Sequence, residues 1–201
     1  MGSPTTHLRS LYQQLDWAGN KLILEIGSER GEYSTYTLSD IAKDVKCKFI
    51  TIDVTDDARR KVHGTAAEFV VCDAGSSWCR SDLPALVDYK INILYLDNFD
   101  WTWDEANPHE HIIQQRKEYL QRGTIMNNFN CAQEHLSQML ACLPCMADQC
   151  LIVCDDTWKC PNEGIYIGKC GVVVHYLLYL GFDLLLEKDL GIILGRNIKT
   201  I

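Results

Sequence analysis

Five short apolar segments at rather even intervals are the feature of this sequence that most limits its fold. They cover residues 21–26, 48–53, 68–72, 91–96 and 149–154. Each has the length of a β-strand, and most are continuously apolar rather than alternating. Continuous apolarity is typical of strands covered by helices on both faces. The pattern therefore predicts a parallel sheet inside an α/β fold.

The intervals between these segments carry apolar residues at helical spacing. Helices are predicted over 8–17, 34–45, 83–89, 128–146 and 168–180. Repeated strand, helix, strand units imply parallel strands with right-handed crossovers.

The end of the chain departs from this alternation. Two apolar runs, 182–187 and 191–194, are joined by the tight Lys188-Asp189 segment, which predicts a hairpin and one antiparallel strand. We therefore expect one α/β domain over residues 1–201, a Rossmann-like, doubly wound sheet of seven strands. The sheet is mostly parallel with an antiparallel C-terminal hairpin strand, and a short N-terminal helix lies within 1–20.

Composition excludes some classes of function. The chain has 201 residues and a formal net charge of -8, so general nucleic-acid binding is not expected. No apolar run approaches the ~20 residues of a membrane span, and the N-terminal residues lack a signal-peptide core. The ten cysteines therefore predict reduced thiols in the cytoplasm. Zinc at the close pair Cys142 and Cys145 is the alternative, although no second pair completes the usual spacing.

Acidic residues follow the predicted strands at the points where the strands end. They are Asp53, Asp73, Asp97, Asp155 and Asp156. In an open parallel sheet, ligands bind outside the carboxyl ends of the strands, where the strand order reverses. The alternative is that each Asp caps the helix that follows it. Five carboxylates at one edge favour a binding site over separate caps.

The segment after the first strand adds glycines to this edge. Gly27 and Gly31 allow a sharp turn and a close approach of a ligand. Glu25 at the base of the turn suits a cationic or amine-bearing ligand, and Asp53 is placed to accept both hydroxyls of a ribose. Asp73 is suited to accept from an adenine amino group. A nucleoside with a positively charged tail satisfies all three acids.

These residues resemble the class I S-adenosylmethionine-dependent methyltransferases. The matching motifs are E-I-G-S-E-R-G, I-D-V, V-C-D-A and L-Y-L-D, starting at residues 25, 52, 71 and 94. The first is closest to small-molecule O-methyltransferases of the macrocin and cephalosporin-hydroxylase-like groups, with Glu29 where the commonest pattern has its middle glycine. The resemblance implies S-adenosylmethionine as cofactor, bound by Glu25, Gly27, Ser28, Gly31, Asp53, Asp73, Ala74 and Asp97.

A nicotinamide-dependent dehydrogenase is the rival class for this loop. Such an enzyme needs G-x-G-x-x-G, and G-S-E-R-G-E lacks that spacing. Glu25 beside the loop also repels a pyrophosphate. The loop therefore favours the methyltransferase class.

The resemblance also implies a catalytic centre. Similar O-methyltransferases hold Mg²⁺ with an acid after strand four and an acid pair after strand five, here Asp97, Asp155 and Asp156. Alternatively, Asp97 contacts the amino end of the cofactor and no metal is used. The lysine base of related enzymes is replaced by Asp100, which leaves His109 and His111 as candidate bases. The predicted catalytic set is Asp97, Asp100 and His109.

Two further features bear on the methyl acceptor. Trp101, Trp103 and Trp158 follow strands four and five, where they either wall an acceptor pocket or pack a loop. The polar stretch 104–127, within a helical insert at 104–147, is either a lid or a solvated helix face. The expected function is methyl transfer to a small-molecule hydroxyl, with a homodimer as the candidate oligomeric state. The alternative is a methyltransferase-like fold that binds cofactor or a protein partner without catalysis.

Overall fold

The computed structural model describes residues 4–28, 33–60, 62–72, 75–188 and 190–198. Three predicted cofactor-binding residues, Gly31, Asp73 and Ala74, lie outside the described residues.

Nine strands and six α-helices are present in the described part of the chain. The strands are β1 Lys21–Ile26, β2 Lys48–Asp53, β3 Ala67–Val71, β4 Lys90–Leu96, β5 Met146–Cys154, β6 Thr157–Lys159, β7 Tyr166–Gly168, β8 Asp183–Lys188 and β9 Gly191–Arg196. The helices are α1 Pro4–Leu11, α2 Tyr33–Val45, α3 Gly75–Ser81, α4 Glu110–Gln121, α5 Asn128–Cys142 and α6 Gly171–Tyr179.

Seven of the strands form one sheet in the order β3-β2-β1-β4-β5-β9-β8. The pairs among β1 to β5 are parallel, and β9 runs antiparallel to both of its neighbours, β5 and β8. The predicted seven-stranded, mostly parallel sheet with a C-terminal hairpin is therefore confirmed. The strand order reverses between β1 and β4, which places the topological switch point at the ends of these two strands.

Each face of the sheet buries its own apolar core, as a doubly wound fold requires. One core includes Leu24, Ile52 and Leu94 from the strands, together with Met139 of α5 and Val173 of α6. The other core packs the opposite face of the same strands against α1 and α2, and it includes Ile23, Phe49, Tyr95, Leu8 and Leu38. Burial on both faces explains why the strand segments are continuously apolar.

Some predicted elements differ from the structure. The first helix was expected at 8–17 but covers Pro4–Leu11, and a 3₁₀ turn follows it at Tyr12–Gln14. The prediction of a helix at 83–89 is wrong. The helix there is α3, which ends at Ser81, and Pro84 restricts the next segment to a 3₁₀ turn at Leu83–Ala85.

The helical insert expected at 104–147 contains α4 and α5, whereas the strands β6 and β7 were not predicted. Helix α4 lies inside the polar 104–127 stretch, where its only buried residues are Ile112 and Tyr119. Strands β6 and β7 form a small antiparallel hairpin between β5 and α6. Within the described ranges, no helix is long and apolar enough to cross a membrane.

Candidate functional site

A cavity of about 300 Å³ opens at the carboxyl edge of the sheet, beside the switch point. Its walls come from the residues that follow β1, β2 and β4, and from one face of α4. The lining residues are Gly27, Asp53, Val54, Thr55, Asp97, Asn98, Phe99, Asp100, His111, Gln114, Gln115, Glu118, Tyr119 and Arg122. Among these described residues are four carboxylates and one guanidinium, so the cavity favours a cationic ligand over a pyrophosphate.

Helix α4 is fixed over the cavity by contacts at two points. The Arg122 guanidinium donates to the Val54 carbonyl at 2.9 Å, which ties the end of α4 to the segment after β2. The rings of Phe99 and Tyr119 lie 4.6 Å apart, which ties α4 to the segment after β4. The polar stretch that was expected to form a lid or a solvated face thus contributes one wall of the cavity.

Gly27 and Asp97 meet at the switch point. The Asp97 amide donates to the Ile26 carbonyl at 2.9 Å, and the Gly27 amide donates to the Ile52 carbonyl at 2.8 Å. Gly27 has φ +90°, and a Cβ there would lie 2.2 Å from the Asp97 carbonyl oxygen. Only glycine fits, because both the backbone conformation and the distance to Asp97 exclude a side chain.

Asp53 lies at the end of β2 with its carboxylate at the cavity. Its Oδ1 accepts from the Thr55 amide at 3.0 Å, and its Oδ2 accepts from the Ser28 hydroxyl at 3.1 Å. Burial raises the pKa of Asp53, and the hydrogen bonds from Thr55 and Ser28 oppose that rise. The predicted ribose acid is thus held in place beside Gly27. Ser28 is itself buried and acts on the cavity through Asp53.

Glu25 does not line the cavity. Its side chain is fully buried, and its Oε2 accepts from the Thr51 hydroxyl at 2.6 Å and from the Thr35 hydroxyl at 2.8 Å. It therefore connects β1 to β2 and to α2. Burial raises the pKa of Glu25 to about 7, while the hydrogen bonds from Thr51 and Thr35 lower it. Both hydrogen bonds of Glu25 are made within the fold, and its contact with a cationic ligand stays a prediction.

Asp97, Asp155 and Asp156 do not form the expected magnesium site. The Nζ of Lys169 lies 2.6 Å from Asp97 Oδ1 and 3.0 Å from Asp156 Oδ2, so an ammonium fills the space between the two carboxylates. The Asp155 carboxylate accepts from the Tyr95 hydroxyl. In the described part of the chain, no group of three His, Cys, Asp or Glu residues is arranged to hold a metal ion.

The candidate catalytic bases differ in whether they line the cavity. His111 lines the cavity, and its Nε2 lies 3.9 Å from Asp100 Oδ2. His109 precedes α4 as an exposed residue outside the cavity wall, and its ring nitrogen Nδ1 is 2.7 Å from that of His111. Of the three candidate catalytic side chains, Asp100 and His111 line the cavity and His109 does not.

His135 supports the cavity wall and was not predicted. Its Nε2 accepts from the Asn98 amide at 3.1 Å, and its Nδ1 lies 2.8 Å from the Cys131 carbonyl. The proton must therefore reside on Nδ1. Burial lowers the pKa of His135 to about 3, so the ring is neutral. It holds the segment after β4 from behind, next to Phe99, whose φ is +60°.

The three tryptophans form one cluster beside the β6–β7 hairpin. The Trp103 and Trp158 rings stack with centroids 4.5 Å apart, and the Trp101 ring meets Trp158 edge-on at 6.2 Å. Trp103 is 62% exposed, so the outer face of the cluster is open to solvent. Cys142 and Cys145, the close pair considered for zinc, belong to no metal-binding group among the described residues. Cys142 lies against Cys79 in the core.

Comparison with known proteins supports the class of fold. No protein-family model matches the sequence, and no significant match is found among curated proteins. A structure from Clostridium thermocellum with a provisional rRNA-methylase name aligns over 97% of this chain and 96% of its own, with TM-score 0.53 and 9% identity. The chain therefore has the Rossmann-like methyltransferase fold.

A second solved structure is similar at a lower level. It is a SAM dependent methyltransferase from Archaeoglobus fulgidus, 14% identical, with 96% of this chain and 93% of that chain covered. Its TM-score of 0.47 is too low to support an argument. The similarity to the Clostridium structure, at 9% identity, establishes the fold alone and leaves the activity open.

Proposed function

We propose that the protein is an S-adenosylmethionine-dependent methyltransferase that acts on a hydroxyl of a small molecule. The observation that carries this proposal is the acidic cavity at the switch point, with Gly27, Asp53 and Asp97 on its walls. Ligands of open α/β sheets bind at this position. Asp97 is paired with the Lys169 ammonium, but the carboxylates of Asp53, Asp100 and Glu118 still outnumber the Arg122 guanidinium on the cavity walls. This charge suits a cationic nucleoside better than the pyrophosphate of a dinucleotide. A dehydrogenase is therefore disfavoured by charge as well as by loop spacing.

The assignment of roles follows from the lining of the cavity. Asp53 would accept hydrogen bonds from the two ribose hydroxyls, because it is the last residue of β2 and its carboxylate is held by Ser28 and Thr55. Gly27 leaves room for the backbone to approach the amino-acid tail, and Asp97 would face the positive charge of that tail. When bound, S-adenosylmethionine supplies an electrophilic methyl group on a sulfonium leaving group.

Methyl transfer needs an in-line oxygen and a proton acceptor. With S-adenosylmethionine bound, a bond would form between the acceptor oxygen and the methyl carbon while the sulfur–methyl bond breaks, and its electron pair would stay on sulfur. We assign Asp100 and His111 as the pair that accepts the hydroxyl proton, because both residues line the cavity and His111 Nε2 lies 3.9 Å from Asp100 Oδ2. The chain mainly orients the two reactants, as proximity catalysis requires.

We propose a small molecule as the acceptor. The tryptophan cluster lies beside the hairpin, outside the lining of the cavity, and we propose it as an outer wall of the acceptor site. Aromatic side chains suit ring-shaped acceptors with one apolar face. The rRNA-methylase name of the Clostridium structure raises RNA as an alternative. A net charge of -8 argues against it, since RNA binding depends on cationic contacts to phosphates. We propose the cytoplasm as the location of the protein, because a chain with ten cysteines suits a reducing compartment.

A second candidate function is cofactor binding without catalysis. It is favoured by Asp100, which stands where related enzymes carry a lysine base. The two candidates differ in turnover: release of S-adenosylhomocysteine with a panel of hydroxyl acceptors supports the enzyme. Cofactor binding with no transfer to any acceptor supports the second candidate.

Isothermal titration calorimetry with S-adenosylmethionine tests the proposal. We expect the wild-type chain to bind one molecule and Asp53→Asn to weaken binding about 10- to 100-fold, the loss expected for charge-assisted hydrogen bonds. Asp88→Asn is the matched control, because Asp88 is exposed before β4, at the opposite end of the sheet. Tight binding of NAD with no binding of S-adenosylmethionine would overturn the proposal, as would an affinity unaffected by Asp53→Asn.

A further inference from the structure

Lys169 is a buried cation surrounded by three carboxylates at the carboxyl edge of the sheet. Its side chain is 3% exposed, and its Nζ contacts Asp97 Oδ1 at 2.6 Å and Asp156 Oδ2 at 3.0 Å. Burial alone lowers the pKa of Lys169, but the charges of Asp97, Asp156 and Asp155 raise it well above its usual range. The side chain is therefore an ammonium that donates directly to acids from two different strand ends.

The backbone around Lys169 is shaped to place this ammonium. The Lys169 amide donates to the Asp156 carbonyl at 3.0 Å, so main chain and side chain both bind the same residue. Asp156 has φ +43°, and Gly168 has φ +93°. A Cβ at Gly168 would lie 2.1 Å from the Asp156 carbonyl oxygen, so only glycine permits this approach. The end of the β6–β7 hairpin therefore lies in direct contact with Asp156.

A divalent metal does not fit the same place. Mg²⁺ requires close to six oxygen ligands in octahedral geometry and usually keeps several waters. Here two of the three acids bind the ammonium, and the third, Asp155, binds the Tyr95 hydroxyl. A metal ion could reach these oxygens only by displacing Lys169, a buried like charge.

We propose that Lys169 is an internal cation that takes the place of a divalent metal at this edge. It joins the carboxylates that follow β4 and β5 and excludes Mg²⁺ from them. Because Asp97 also lines the cavity, Lys169 is a positioning residue for that wall. The proposal depends only on contacts within the chain and does not rest on the proposed activity.

Binding of Mn²⁺, followed by the electron paramagnetic resonance signal of the free ion, tests the proposal. We expect no stoichiometric site in the wild-type chain and none in Lys169→Arg, which keeps the charge. Lys169→Ala exposes three carboxylates and should bind one Mn²⁺ at least tenfold more tightly than wild type, with a rise in melting temperature on addition of the ion. Adding Asp156→Asn to Lys169→Ala should remove the new site. Lys159→Ala is the matched control, an exposed lysine of the same hairpin, and should behave as wild type.

Two results would overturn the proposal. One is a stoichiometric Mn²⁺ site in the wild-type chain that Asp97→Asn removes. The other is a folded Lys169→Ala variant, judged by circular dichroism, that gains no Mn²⁺ affinity. Folding of Lys169→Ala only in the presence of Mn²⁺ supports the proposal. If the variant stays unfolded in either condition, the wild-type titration decides: absence of a site supports the proposal, and a site that Asp97→Asn removes overturns it.

Discussion

Replacement of Gly27 by alanine should destabilise the protein more than the same replacement at an equivalent glycine outside the site. A left-handed backbone costs an L-residue about 1–2 kcal/mol. At Gly27, the added Cβ also lies 2.2 Å from the Asp97 carbonyl oxygen, 2.5 Å from the Asp97 carbonyl carbon and 2.7 Å from the Asn98 amide nitrogen. These are backbone atoms that cannot rotate away, so overpacking adds about 1–3 kcal/mol. The free energy of unfolding should fall by about 2–5 kcal/mol in total.

Gly19 provides the matched control. It has φ +78°, close to the +90° of Gly27, but a Cβ there meets nothing within 4 Å. Gly19→Ala should therefore cost only about 1–2 kcal/mol. Both alanines reduce the entropy of the unfolded chain alike, so this effect cancels in the comparison.

Differential scanning calorimetry and urea denaturation measure the difference. With about 2–4 °C per kcal/mol for a chain of this size, Gly27→Ala should melt about 4–20 °C below wild type. Gly19→Ala should melt about 2–8 °C below it. Equal loss of stability in the two variants would refute the close contact between the ends of β1 and β4. Cofactor affinity should fall in Gly27→Ala and remain at the wild-type level in Gly19→Ala.

Three further predictions concern buried titratable groups and the tryptophan cluster. Because folding raises the pKa of Glu25 from 4.5 to about 7, this group favours the folded state below pH about 4.5 and its contribution is lost as the pH rises to about 7. Glu25→Gln should remove that decline in urea titrations at several pH values, and an unchanged slope would contradict it. His135 acts in the opposite sense, because its pKa falls from 6.5 to about 3 and stability is lost as the pH falls through that window. His135→Gln should flatten this acid loss, whereas a curve parallel to wild type would show that the ring is not buried and neutral. Trp158→Leu should raise the KM for the acceptor and leave the cofactor Kd unchanged, and a change in the cofactor Kd alone would exclude an acceptor wall.

The sheet was predictable because its strands are buried on both faces. Continuous apolar runs predicted the exact bounds of β1 and β2, and the short Lys188-Asp189 segment between two apolar runs predicted the antiparallel strand. Gly27, Asp53 and Asp97 could be grouped in advance, since parallel strands bring their carboxyl ends to one edge. That part of the site follows from topology alone.

The rest of the site depends on contacts that no local pattern specifies. Lys169 reaches Asp156 across a hairpin whose strands have three residues each, too short for a reliable alternation. His135 lies on α5 among residues of helical spacing, and only the tertiary structure shows that it accepts from the Asn98 amide. Glu25 was predicted at the correct strand end, but its side chain accepts a hydrogen bond from Thr51 of the neighbouring strand. Asp53, and not Glu25, lines the cavity.

A crystal structure of the chain with S-adenosylhomocysteine tests the central claim most directly, because the ligand reports the position of the cavity without turnover. The account predicts ribose hydroxyls within hydrogen-bonding distance of the Asp53 carboxylate and an amino-acid tail between Gly27 and Asp97. A cavity that stays filled with solvent at saturating ligand, or a ligand bound elsewhere on the chain, would contradict it.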